Sequence, residues 1–250
     1  ARTLTKSSIN LFIASLCCSD FLLGFSACFF QIQQLIHAYQ NQGSDSDDHL
    51  VAIISCVASA PMVLGFFTSN ANVFLIGVDR AMATLNPLSY KSRVTTRRAK
   101  VGVLMAWASA FVFVGIPISV SFVQMEGLVV LTYPYDLLPE QFIRYCSTPF
   151  LFLAILINAS LYIIIVVYFY KVTAKVQPSS NSDVRNNRMT RMITSVVGAL
   201  LLGNIPIIVV ATIPATIGNQ LGYLMSYHMW YDFAFLGVIL PTFVNNFIYV

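Results

Sequence analysis

The chain has 250 residues, of which 57% are hydrophobic and only 10% charged, with a formal net charge of +4. A mean hydropathy of +0.75 leaves too little polar surface to cover a water-soluble globule, so a lipid bilayer is the expected solvent. The positive balance is not a nucleic-acid footprint, because thirteen of the fourteen Lys and Arg residues fall in three short clusters at 2–6, 80–100 and 171–191, and no basic, aromatic-studded face recurs.

A hydrocarbon core of about 30 Å takes about 20 helical residues. Apolar stretches of that length run over 9–36, 50–78, 101–123, 149–170, 192–217 and 229–250. The runs exceed strand length and lack the alternation of a membrane β-barrel, so the fold class expected is all-α, a polytopic membrane helix bundle. Short loops beside membrane spans keep Lys and Arg on the cytoplasmic side. The three basic clusters alternate with loops that carry only Arg144, which orients the chain with both of its ends in the cytoplasm. Outer loops then carry Asp45, Asp47, Asp48, Glu126, Asp136 and Glu140, against Asp183 alone on the inner side. The chain opens on Ala1 and stops at Val250 with the last apolar stretch, and it is read as a fragment that lacks a helix at the front and a cytoplasmic tail.

In the first stretch, Asp20 sits at membrane depth. A carboxylate there costs about 2.5–3.5 kcal/mol on insertion scales, so it should face the bundle interior and have partners. Its two readings are a functional site and a protonated Asp bonded to a neighbouring helix. In the second stretch, Asp79 and Arg80 fall where the apolar helix meets the basic boundary. Taken as an isolated dipeptide they fit a snorkelling interfacial Arg. No His lies in a membrane stretch; His37, His49 and His228 sit near outer boundaries, and the five Cys and three His show no metal-ligand spacing. The sequon at Asn158 to Ser160 lies inside the fourth stretch, where no glycosyl transfer is expected.

Together these residues resemble one family. Asn10, Leu16 and Asp20 are similar to the second helix of the rhodopsin-like (class A) G-protein-coupled receptors. Asp79-Arg80, followed by Pro87-Leu88 and Tyr90, resembles their third helix and second inner loop. Trp107 with Pro117 resembles the fourth helix, Pro206 the sixth, and Asn245 with Tyr249 the seventh. The resemblance implies a single seven-transmembrane domain over residues 1–250 with the family's first helix missing. Four departures stand out. Ala81 replaces the Tyr that ends the third-helix triplet, and Asn246 replaces the Pro of the last-helix Asn-Pro-x-x-Tyr motif while Pro241 lies earlier. The sixth-helix Cys-Trp-x-Pro reads Gly203-Asn204-Ile205-Pro206, and the fifth helix has no Pro beyond Pro149.

The resemblance implies that Arg80 is held by Asp79 at rest and turns to a heterotrimeric G protein when active. Pro87 and Leu88 would offer that partner an apolar anchor, the alternative being that Leu88 packs on its own bundle. Tyr249, with Tyr168 or Tyr170, would meet the Arg on activation. The family's further restraint, an acid at the start of the sixth helix, is Asn186 here, so basal signalling is expected. Asp20, Ser69 and Asn245, with Asn204, match a polar pocket that holds an allosteric sodium ion in the family, against a water-filled network; no other cofactor is implied. Cys56 and Cys146 match the family's outer disulfide, with Cys56 one residue off the usual spacing, while Cys17, Cys18 and Cys28 read as small apolar filler. The ligand pocket would be lined by Gln31, Gln34, Met62, Phe66, Phe152, Ile207, Tyr231 and Phe235. That set suits a neutral small molecule, a chemosensory cue or part of a peptide. Met62 stands where amine receptors carry Asp, which disfavours a biogenic amine, and no Lys is available in the last helix for a retinal Schiff base. The implied setting is the plasma membrane, with an extracellular ligand, a G protein and the bilayer as partners and no nucleic acid. An enzyme is not expected, since one mid-membrane acid and no membrane His make no catalytic set. The rival function is a transporter or channel, for which Asp20, Asn70, Asn72 and Asn204 supply the only membrane-depth polarity.

Overall fold

The computed structural model describes residues 8–40, 48–86, 89–90, 94–124 and 137–173, together with residues 198, 203, 205, 206, 236 and 237. Four long helices carry the fold: α1 (Ser8–Gln40), α2 (Asp48–Leu85), α3 (Thr96–Gln124) and α4 (Thr148–Thr173). A short turn, Glu140–Phe142, and a π-helical turn, Ile143–Ser147, lead into α4. There is no strand among the described residues. Each long helix contains a span long and apolar enough to cross a bilayer: Ser8–Ile36, Ile53–Leu85, Thr96–Ser121 and Ile143–Tyr168. The stretches expected over 192–217 and 229–250 lie almost wholly outside the described residues.

Helix α2 runs seven residues past the end of its apolar stretch at Val78. Hydropathy marks where lipid ends, not where i→i−4 bonding ends, so Asp79 and Arg80 continue the helix into the boundary region. Pro61 and Pro117 sit inside α2 and α3. Hydroxyls satisfy themselves by bonding back one turn, as in Ser59 to Ser55 O (2.7 Å), Thr68 to Leu64 O (2.8 Å) and Ser160 to Leu156 O (2.7 Å). In a medium without water this removes the cost of an unmade bond.

Helix α2 is the hub, packing against α1, α3 and α4. Its contact with α1 is backbone-close at one point. A Cβ placed on Gly65 would come within 2.9 Å of Leu23 N and Ser19 O, so only a residue without a side chain allows the approach, in the manner of small residues at membrane helix interfaces. One apolar cluster centres on Leu23, Met62, Phe66, Phe67 and Val114. Another gathers Ile9, Phe12, Leu16, Ile76, Ala81 and Ile165. Side chains on the opposite faces, among them Phe21, Phe25, Leu104, Met105 and Ile163, are more than half exposed. Lipid chains are the natural partners of these surfaces.

Candidate functional site

Two polar assemblies lie inside the apolar bundle, both centred on α2. The first is at its basic end. Asp79 and Arg80 are 1% and 4% exposed, so the Arg is not a snorkelling one. Its Nε donates to Asp79 Oδ2 at 3.1 Å, and Nη2 donates to the same oxygen. The Tyr90 hydroxyl donates to Asp79 at 3.1 Å from Oδ1 and accepts from Arg80 Nη2 at 3.3 Å. Ser8, at the start of α1, donates to Asp79 Oδ1 at 3.5 Å. The carboxylate therefore gathers its own neighbour, the loop and α1. Burial, and then the Asp79 charge, raise the Tyr90 hydroxyl above its ordinary value of 10.0, outweighing the opposing Ser8 bond and Arg80 charge. It stays a neutral donor across the physiological range. Ala81, where the family has Tyr, is buried in the Ile9 and Phe12 cluster.

The second assembly is at mid-depth. Asp20 is 2% exposed and accepts from Ser69 Oγ at 2.6 Å. About one helical turn away, Ser15 Oγ donates to Asn72 Oδ1 at 2.9 Å, Asn72 Nδ2 donates to Ser19 Oγ at 3.4 Å, and Trp107 Nε1 donates to Ser15 Oγ at 3.0 Å. These bonds tie α1, α2 and α3 together where hydrophobicity cannot, because lipid is as apolar as the helices. Asp20 and Ser69 supply two hard oxygens of the type an alkali cation takes, so they fit a sodium ion as part of its donor set. The other expected members, Asn204 and Asn245, lie outside the described residues.

Of the residues expected at the G-protein face, Asp79 and Arg80 meet; Pro87, Leu88, Tyr249 and the side chain of Tyr170 lie outside the described residues, and Tyr168 is 36% exposed on α4. Of the expected ligand pocket, Met62 and Phe66 share one buried cluster. Gln31 is exposed and Phe152 is 56% exposed, so neither points inward, while Gln34 is half-buried; Ile207, Tyr231 and Phe235 lie outside the described residues. The inward amide is Gln33, which continues the Leu23, Ala27 and Phe30 stripe at helical spacing. It is 7% exposed, and both ends of its carboxamide lack a hydrogen-bond partner among the described residues. Cys56 is packed with Phe30, Ala58 and Leu137, whereas Cys146 is exposed on the π-helical turn. Both are free thiols in this structure, so the expected Cys56 to Cys146 bond is not made there. No cluster of metal-ligating side chains forms among the described residues.

Ser8, Ser15 and Ser19 are members that motif reading missed. Their signal is spacing: Ser8, Ser15 and Ser19 fall on one face of α1 at intervals of seven and four, the face that also carries Phe12 and Leu16.

Membrane-length apolar helices, with a buried acid at mid-depth and a buried Asp-Arg pair at the basic end, define the chain as a multi-pass membrane protein. Residues 1–249 match the family described as 7 transmembrane receptor (rhodopsin family), and the chain belongs to that family. It is similar to muscarinic acetylcholine receptor M1 of Homo sapiens, with 31% identity over 111 residues, 44% of this chain and 22% of that protein. Muscarinic acetylcholine receptor M3 of Gallus gallus is 31% identical over 107 residues, 43% of this chain and 16% of that protein. The probable G-protein coupled receptor No9 of Amphibalanus amphitrite is 32% identical over 112 residues, 44% of this chain and 21% of that protein. The matched segment thus spans about a fifth of the length of these relatives.

Proposed function

We propose that this chain is the transmembrane core of a plasma-membrane receptor that binds an extracellular ligand and activates a heterotrimeric G protein. The observation that carries the proposal is the buried set Asp79, Arg80 and Tyr90. A guanidinium 4% exposed at the end of an apolar helix is costly unless paired, and a pair that can be exchanged for another partner is a two-state element. When Arg80 leaves, Asp79 retains Tyr90 and Ser8 as donors. The carboxylate is not left bare, so release costs less than breaking an isolated buried pair. The ligand side points to a neutral compound: Met62 is buried at 2% exposure and offers no carboxylate to an ammonium group, while the Gln33 carboxamide has no hydrogen-bond partner among the described residues. In this reading Asp20 and Ser69 hold a sodium ion that steadies the resting arrangement.

Nucleotide exchange on a purified heterotrimer, measured in membranes bearing the chain, tests the reading. Exchange above empty membranes that disappears in Arg80→Ala supports it. No exchange under any ligand, together with solute flux across sealed vesicles, would favour a transporter.

A further inference from the structure

Among α2, α3 and α4 lies a cleft of about 350 Å3 that neither Asp20 nor Asp79 lines. Its mouth includes Phe74, Leu153 and Ile157, which are 40%, 55% and 42% exposed. All three fall within membrane-crossing spans, so the cleft opens to hydrocarbon and its entry route is the bilayer. Inside, the rings of Phe67, Phe113 and Phe150 pack with centroids 4.9–6.4 Å apart. No charged side chain is among the described lining residues.

An apolar cleft facing lipid is filled by an acyl chain without special provision. Asn158 is the exception. It lies in the cleft wall on α4, it is 1% exposed, and its carboxamide oxygen has no hydrogen-bond partner among the described residues. Burying an amide oxygen unpaired is costly, and native structures leave few such groups. A leucine would fill the same space without that cost. No described residue supplies the missing donor and water does not reach the cleft from hydrocarbon, so a donor carried by a molecule that dissolves in lipid would satisfy the oxygen. The uncharged lining asks for a neutral molecule, and the three rings suit a flat aromatic body. The terminal torsion of Asn is broad and roughly two-fold, so a small rotation brings the oxygen to the cleft.

We propose that this cleft binds a neutral, lipid-dissolved aromatic donor of the phenol or indole class, its O–H or N–H donating to Asn158 Oδ1 and its ring seated against Phe67, Phe113 and Phe150. The cleft is also lined by Asn70, the residue after the Ser69 that holds Asp20. A molecule wedged there braces α2 one residue from the mid-depth polar assembly, which makes the cleft a regulatory site reached through the membrane.

Photolabelling of the protein in phosphatidylcholine nanodiscs with a diazirine-bearing alkylphenol tests this. Label is expected on the cleft faces of α3 and α4 and is displaced by excess unlabelled alkylphenol, while the methyl ether, which has no donor, competes at least tenfold more weakly. Asn158→Leu should reduce the phenol to the ether's potency while the thermal transition holds or rises, since an unpaired amide has been removed. Ala154→Phe, which fills the cleft from its wall, should abolish specific label. Equal competition by phenol and ether, or label that survives both variants, would overturn the proposal.

Discussion

Gly65→Ala isolates the contact on which the α1–α2 pairing depends. A new Cβ would lie 2.9 Å from Leu23 N and from Ser19 O and 3.2 Å from Leu23 Cα, where ordinary contact begins at 3.4 Å. All three neighbours are backbone atoms, so no rotamer change relieves the overlap and the two helices must part by about half an ångström. Overpacking of this kind costs about 1–3 kcal/mol, and the upper half of that range applies when only backbone can move. Exchanging Gly for Ala in a helix returns about 1 kcal/mol of propensity. The net loss is then about 1–2 kcal/mol, or roughly 2–8 °C in melting temperature for a chain of this size. The opening also lengthens the Ser69 to Asp20 bond, which starts at 2.6 Å one turn along α2. Gly115→Ala is the matched control, because a Cβ there meets nothing within 4 Å; it should hold or raise stability through propensity alone. Thermal unfolding of both variants in the same detergent reads the difference. Equal melting temperatures for the two would refute the close approach of α1 and α2.

Tyr90→Phe removes a donor that Asp79 would keep once Arg80 leaves, so release should become more costly and basal nucleotide exchange fall severalfold, given about 1.5–3 kcal/mol for a hydrogen bond to a charged group; unchanged basal exchange would show that Tyr90 is a bystander. The same variant has a pH signature. Because the folded pKa of Tyr90 lies above its ordinary 10.0, its contribution is fully present below about pH 10 and is lost as pH rises through the folded value. The melting-temperature gap between the native chain and Tyr90→Phe should therefore stay constant through neutral pH and close only in alkali; a gap that closes on acidification would contradict this. Ser15→Ala and Trp107→Phe, combined in a double-mutant cycle, should show a coupling of about 0.6–1.7 kcal/mol, the range for bonds between membrane helices, and zero coupling would dissolve the α1–α3 link. Cys146 is exposed and free, so maleimide should label it without reductant while Cys56 stays protected until unfolding; label that requires prior reduction would establish the Cys56 to Cys146 bond instead.

Much of the candidate site was legible because a bilayer penalises charge so heavily. Asp20 could be singled out from hydropathy alone, and its burial at 2% exposure follows from the same physics. Asp79 and Arg80 were conspicuous at a boundary, yet sequence left open whether Arg80 snorkels to water; at 4% exposure, gripped by Asp79 and Tyr90, it does not. Which glutamine turns inward was misjudged. Gln31 and Gln34 were expected in the pocket, whereas Gln31 is exposed, Gln34 half-buried and Gln33 buried, because the inward stripe of α1 runs through Leu23, Ala27 and Phe30 to Gln33.

Apolar length and the placement of Lys and Arg determine a membrane bundle before any packing is known, since both depend on transfer from water to lipid, a property each segment has by itself. The order of motifs along the chain likewise assigns the family without coordinates. The polar ties from Trp107 through Ser15 to Asn72, and the cleft at Asn158, were decided only by tertiary structure. Serine and asparagine are cheap enough in a membrane helix to face either way. Whether they tie helices together or sit unpaired depends on which neighbour arrives within 3.5 Å, and that is a property of pairs of helices, invisible in either one alone.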